Sequence, residues 1–455
     1  MGSFFPGGPG ARERRDWVRF PRSVSGRLAV LVGLAIASAG TAASDCPAQG
    51  SEAGTRFDFG PGKVAAGYVK VGPSAVYSRA TGHGFDPGSR VVGVDRGGVD
   101  PLRGDFIAGD RPFSFSVDLP EGNYDVTVTM GDAAGESSTT VKAESRRLMV
   151  EDVRTGPGVF AVRTFTVNVR DDRIASGGAV KLKARERDVL HWDGKLTLEF
   201  NGDRPCIVAV EIIRADRATT VYLAGDSTVT DQPREPWNSW GQMLPRFFKP
   251  GVAVANHAES GESLRSFVAG RRLEKILGTI RPGDYLFIQF GHNDQKERGA
   301  VVGAFTSYMD SLRRFVAEAR KRDAIPVLVT PVRRRAFGPD GKVVDSLGDY
   351  PEAVRRVARE DDVALIDLHA MSGPFYEALG AEGSKVAFVD NTHHNNYGSY
   401  ELARCVVEGI RRSKLGLVAM LADDVPPFDP AHPDPVGGFR VPASPQGTAT
   451  APDGN

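Results

Sequence analysis

The chain has 455 residues and a formal net charge of zero, with 57 Lys and Arg against 57 Asp and Glu. A dedicated nucleic-acid binder would show a basic excess, so this class is disfavoured. The length gives room for roughly two or three domains, and the ordinary apolar content argues against wholesale disorder.

Residues 1–43 read as a signal peptide. Arg12, Arg14, Arg15, Arg19, Arg22 and Arg27 form a basic n-region, and Leu28 to Ala37 is a short apolar run followed by small residues through Ala43. The run is too short for a comfortable membrane span, so a secreted protein, periplasmic or extracellular and free of the membrane after cleavage, is expected. An uncleaved anchor is the alternative. Three cysteines, Cys46, Cys206 and Cys405, allow one disulfide in an oxidising compartment, with Cys46–Cys206 the pair to consider. No cysteine pair has metal-ligand spacing.

Residues 55–215 carry short alternating runs, such as Phe113 to Val117, Tyr124 to Val128, Phe165 to Val169 and Leu196 to Phe200. Period-two patterning with β-branched and aromatic residues predicts antiparallel strands, and many of them predict an all-β sandwich. Arg214 to Thr219 is the expected boundary. Residues 219–418 change texture. Val221 to Ala224, Val252 to Ala255, Tyr285 to Ile288, Val327 to Val329 and Val363 to Ile366 are continuous apolar runs, which predict parallel strands buried on both faces. Helical patterns separate them, around Trp240 to Phe248, Ser263 to Leu277, Phe305 to Arg322, Tyr350 to Glu360 and Tyr397 to Lys414. The expected fold class is therefore α/β, a three-layer α/β/α parallel-sheet domain preceded by an all-β sandwich. Residues 419–455 are Pro- and Asp-rich and read as an extended tail.

Four segments carry the chemistry: Gly225-Asp226-Ser227-Thr228, Ser260-Gly261-Glu262-Ser263, Gly291-His292-Asn293-Asp294 and Asp390-Asn391-Thr392-His393. Three follow predicted parallel strands, at the edge where such sheets bind ligands, and the fourth opens the last helix. Ser227 supplies a hydroxyl that is a weak nucleophile until a base takes its proton. Asp390 and His393, three apart, can place a carboxylate beside an imidazole; His394 is a rival for the base. Gly261 and Asn293 could donate N–H groups to an oxyanion alongside the Ser227 N–H. Each has a plainer reading alone: Ser227 or Thr228 as a helix cap, Asp390 as a turn residue, Gly261 and Asn293 as loop residues. Asp226 and Asp294 read as loop hydrogen-bonders rather than paired glycosidase acids. Trp237 and Trp240 near the nucleophile could floor a sugar subsite, with Trp240 taken as the substrate contact. The run Arg333-Arg334-Arg335 places Arg334 and Arg335 where they could hold substrate carboxylates, though a solvated loop is as good a reading.

These four blocks resemble the signature blocks of SGNH (GDSL-type) hydrolases, and the stretch from Val221 to Leu417 resembles rhamnogalacturonan acetylesterases. Trp240-Gly241, Asn256-His257-Ala258, Gln289-Phe290, Thr330-Pro331-Val332 and Asn395 to Gly398 add to it. The resemblance implies Ser227 as nucleophile, His393 as base oriented by Asp390, and Ser227, Gly261 and Asn293 as the oxyanion hole, with no metal and no cofactor. Glu262 departs from the pattern and bears on substrate contacts. Phe57-Asp58-Phe59-Gly60 resembles the start of a galactose-binding-like β-sandwich that precedes such esterases. The absence of Gly-x-Ser-x-Gly disfavours the α/β-hydrolase fold. The expected function is a secreted serine esterase removing acetyl groups from an acetylated plant polysaccharide, rhamnogalacturonan favoured. Acetylxylan, another acyl ester, or a glycan-binding protein with a silent esterase domain are the alternatives.

Overall fold

The computed structural model describes residues 54–445 and 452. The expected signal peptide and Cys46 lie outside the described residues, and with Cys46 the expected Cys46–Cys206 pair; Cys206 and Cys405 are buried and form no disulfide among the described residues.

Residues up to Arg214 form the all-β part. One five-stranded sheet runs Phe160–Val169, Gly122–Gly131, Ala209–Arg214, Thr55–Phe59, Val69–Val71. A second runs His83–Phe85, Phe113–Asp118, Lys195–Arg204, Ser137–Ala143, Arg147–Thr155, and a three-stranded sheet adds Cys206–Ile207, Asp105–Ala108 and Val92–Asp95. The alternation read from the sequence has a physical purpose here. Phe57, Phe59, Phe85, Phe113, Phe115 and Phe200 all point into one core, where Phe115 meets Phe57 and Phe59 edge-on at 5.1 and 5.0 Å. Tyr68 and Tyr77 donate their hydroxyls to Glu211 and Asp118.

The first strand pairs with Ala209–Arg214, so the sandwich closes where the second part begins. That part is a five-stranded sheet in the order Val252–Asn256, Thr219–Gly225, Tyr285–Gln289, Ile325–Val329, Ala364–Ile366, every neighbour parallel. Its strands are apolar on both faces because both are covered. Val221, Leu223, Phe287 and Val329 face helices Trp240–Met243, Leu368–Leu379 and Asn396–Arg412. Tyr222, Ala224, Leu286 and Leu328 face helices Leu264–Ala269, Arg272–Thr279, Met309–Arg320 and Tyr350–Glu360. Each buried Leu, Ile or Val contributes about 1.5–3 kcal/mol, enough to hold three layers together.

Two local expectations need revision. The single helix expected over Ser263 to Leu277 is two, broken at Gly270 and at Arg271, which takes φ 61°. Helix Leu368–Leu379 has no counterpart among the predicted elements, because Gly373-Pro374 inside it reads as a breaker. As far as residue 445 the Pro-rich tail is packed. Phe428 and Val441 are buried in the core of the α/β part, and Ser444 N–H donates to Glu235 while its hydroxyl donates to Glu199. Among the described residues no helix is long and apolar enough to cross a membrane.

Candidate active site

The strand order reverses beside Thr219–Gly225, whose neighbours lie in opposite directions along the sheet. Open parallel sheets leave a crevice at such a point, beyond the carboxyl ends of the strands. Gly225 sits level with Gln289, so the Asp226-Ser227 and His292-Asn293 loops leave the sheet side by side. Leu223 sits level with Asn256, which starts the loop to Gly261.

Ser227 Oγ lies 2.8 Å from His393 Nε2, and His393 Nδ1 lies 2.8 Å from Asp390 Oδ2. An ionised carboxylate can only accept, so the ring proton sits on Nδ1 and leaves the Nε2 lone pair facing the hydroxyl. Burial works to raise the Asp390 carboxyl, but the His393 ring and the backbone N–H groups of His393 and Thr392, both at 2.7 Å, outweigh it. Asp390 is thereby held below the usual carboxylate range. The rival His394 is turned away: its Nε2 lies 2.8 Å from the Tyr376 hydroxyl, and burial followed by the His393 charge pushes its pKa down to about 3.

The Asn293 amide donates to Glu262 O at 3.0 Å, which ties this side chain to the loop of Gly261, itself at φ 79°. A left-handed φ suits glycine and lets this backbone turn tightly. Asp226 and Asp294 act as loop hydrogen-bonders. Asp226 accepts from Thr228 N–H and hydroxyl, and Asp294 from Leu264 N–H at 2.9 Å. Burial raises Asp294 to about 7. Among the described residues no group of three or more His, Cys, Asp or Glu side chains could hold a metal ion.

Two expected substrate contacts are corrected. Trp240 is fully buried and its indole donates to Gln289 Oε1 at 2.8 Å, so it is core on the first turn of its helix. Trp237, its neighbour in the sequence, is the half-buried one. Arg335 is consumed by structure: its guanidinium donates to Ser384 Oγ, Asn391 Oδ1 and Ala381 O, and its N–H to Asn391 O. It clamps the loop that carries Asp390. Arg334 is half-buried and reaches toward Gln295, whose carbonyl, in the amide orientation that satisfies both partners, accepts from Arg334 Nη2 at 2.7 Å. Lys296 stands on the same rim, its pKa lowered by burial and then by the Arg334 charge. No motif pointed to Lys296.

A Gly-Asp-Ser-Thr block, an Asn after the third strand and a hydrogen-bonded Ser-His-Asp row invite comparison with known proteins. Residues 223–399 match the family described as GDSL-like lipase/acylhydrolase, and residues 55–175 match one described as beta-agarase/YXIM esterase-like, galactose-binding domain-like. The uncharacterized esterase YxiM of Bacillus subtilis is 31% identical over 374 residues, 78% of this chain and 90% of its own length. The chain belongs to the GDSL-like lipase/acylhydrolase family. It is a hydrolase of carboxylic ester bonds with a galactose-binding-like all-β domain in front. Rhamnogalacturonan acetylesterase RhgT of the same bacterium is 44% identical over 214 residues, 43% of this chain and 90% of its own length. The crystal structure of the YxiM protein aligns over 80% of this chain and 99% of its own, at 28% identity and a TM-score of 0.43.

In this GDSL-type hydrolase the all-β domain reaches directly into the loops of the site. Between strands Ser137–Ala143 and Arg147–Thr155, Glu144 and Arg146 take φ 56° and 66°, a left-handed turn that normally selects Asn or Gly. The strained turn delivers Arg146, 6% exposed, to Gln232 O and Trp237 O at 3.0 Å, Asn396 Oδ1 at 3.1 Å and the Glu235 carboxylate at 2.5 Å. The Gln232 side chain in turn donates to Ser227 O at 2.8 Å. A second segment braces the Gly261 loop: Lys183 and Arg185 both donate to Ser260 O at 2.6 Å and pair with Glu262 and Glu259 at 2.7 Å. Glu262, unusual as a sequence feature, is thus neutralised by Lys183. Neither segment carries a motif, so sequence reasoning passed over both.

Proposed function

We propose that this protein is a secreted carbohydrate esterase that removes acetyl groups from a pectic polysaccharide of the rhamnogalacturonan type. The observation that carries the chemistry is the row Ser227 Oγ, His393 Nε2, His393 Nδ1, Asp390 Oδ2, with both spacings at 2.8 Å. In the reaction the Ser227 oxygen attacks the acetyl carbonyl while His393 Nε2 takes its proton. The carbonyl oxygen becomes an oxyanion held by the N–H groups of Ser227 and Gly261 and the Asn293 amide; each such donor typically contributes about 3 kcal/mol in the transition state. His393 returns the proton to the departing sugar oxygen as the intermediate collapses to acetyl-Ser227. A water, deprotonated by His393, then attacks the acetyl group, and acetate leaves with the serine restored. Asp390, kept ionised, stabilises the imidazolium formed in both halves.

The sugar class is supported by two features. RhgT, at 44% identity, is named a rhamnogalacturonan acetylesterase. Arg334 and Lys296 place two cations on the rim of the site, where a uronate carboxylate of a pectic backbone would be attracted. The test is acetate release from acetylated rhamnogalacturonan and acetylated xylan side by side, with Ser227→Ala as control. Release from the pectic polymer and a loss of about 10⁴-fold or more in Ser227→Ala are expected. Equal release from both polymers overturns the pectic assignment, and hydrolysis retained by Ser227→Ala overturns the mechanism.

A further inference from the structure

A cavity of about 360 Å³ lies between the two domains beside the site, within the range of small-molecule pockets. The all-β domain walls it with Ser145, Leu190 and Thr197, the hydrolase domain with Gln232, Trp237 and Ser260. Two of these residues belong to the catalytic surroundings. Gln232 holds the Ser227 carbonyl and lies 3.4 Å from Ser260 Oγ, and Ser260 directly precedes Gly261.

We propose that this cavity is a sugar subsite, taking a pyranose unit of the polysaccharide next to the acetylated one. The assignment rests on the esterase reading above. The wall chemistry suits a sugar. Hydroxyls and an amide converge with a half-buried indole, and a pyranose offers alternating hydroxyls for the former and a C–H face for the latter. Trp237 Nε1 is buried and has no hydrogen-bond acceptor among the described residues. Leaving such a donor unmade costs about 1–3 kcal/mol, and a small turn of the indole toward the cavity would let a sugar hydroxyl accept from it. An acyl chain fits poorly, because the space is also lined by the charged side chains of Arg146, Arg185 and Glu259 where such a chain needs apolar ones. The position explains why both domains build it: a chain lying over the Ser227 and Gly261 loops would continue into the cleft that the sandwich closes.

Two variants test it from opposite sides. Trp237→Ala removes the indole, and Leu190→Trp fills the space from the all-β domain. On acetylated rhamnogalacturonan oligosaccharides each should lower kcat/KM by about tenfold or more, mostly through KM, while 4-nitrophenyl acetate, which is too small to span both places, loses much less. An equal fall on both substrates, or none on the oligosaccharide, overturns the subsite. Calorimetry with the deacetylated oligosaccharide adds an arm free of catalysis. Ser227→Ala should bind it, and Ser227→Ala with Trp237→Ala about tenfold more weakly. No binding by Ser227→Ala overturns the subsite. A wild-type enzyme that hydrolyses the small ester but no polysaccharide overturns the substrate class instead, and calorimetry then decides the cavity by itself.

Discussion

The loops that carry the chemistry and the segments that hold those loops in place differ in how they are built. Ser227, Gly261 and Asn293 sit just past the ends of three adjacent parallel strands, so the sheet register alone brings them together. Arg146, Lys183 and Arg185 come from the other domain, from a hairpin turn and a short irregular stretch, and reach across to backbone carbonyls and buried carboxylates. The first group is positioned by hydrogen bonds repeated along strands. The second is positioned by a few individually replaceable charge-assisted bonds. The all-β domain is therefore part of the scaffold of the active site and not only an appendage.

The chemical end responds most steeply to substitution. Asp390→Asn keeps the geometry but can favour the wrong imidazole tautomer, and kcat should fall by roughly 10³–10⁴-fold with KM little changed and the melting temperature nearly constant. A fall below tenfold would mean that the backbone N–H groups of residues 392 and 393 position the loop without the carboxylate charge.

The bracing end breaks differently. Arg146→Ala leaves the buried Glu235 without its cation, which should destabilise the protein by about 3–5 kcal/mol in urea unfolding. It should also lower kcat by roughly tenfold on every ester, because Gln232 and with it the Ser227 carbonyl lose support. Unchanged kcat with lowered stability would confine Arg146 to folding.

The smallest effect is a pH dependence. Asp294 titrates near 7 in the folded protein against an ordinary value of 3.8, raised mainly by burial. Between those values the folded state binds the proton that the unfolded state has lost, so this group removes stability as pH rises from about 4 to about 7. Asp294→Asn keeps the oxygen that accepts from Leu264 and cannot ionise. Its stability relative to wild type should therefore improve over that window, on the order of 1–3 kcal/mol, as read by urea melts at both ends. A pH-independent difference would show that Asp294 titrates normally.

Much of this molecule was legible in the linear chain. Continuous apolar runs reported strands buried on both faces, alternating runs reported strands with one buried face, and the motif residues followed the runs because ligand loops follow strand ends in parallel sheets. Asp390 and His393 were legible because they are three residues apart and their contact is local. The roles of Trp240 and Arg335 were not. An indole at the start of a helix and an arginine in a basic run look the same whether they face solvent or a neighbouring loop. Only the packed structure sends Trp240 to Gln289 and Arg335 to the loop of Asn391.

The sequence by itself determined what depends on periodicity and short spacing: the two fold classes, the strand-end positions of the reactive groups and the Asp-His pair. The tertiary structure alone decided which of two adjacent histidines meets Ser227, and which arginines are spent on bracing. It also decided that a strained hairpin and the segment around Lys183 from the first domain complete the site of the second. Those contacts join residues tens to hundreds of positions apart, and each is a single long-range bond whose partners show no repeat, so nothing in the order of residues announces them.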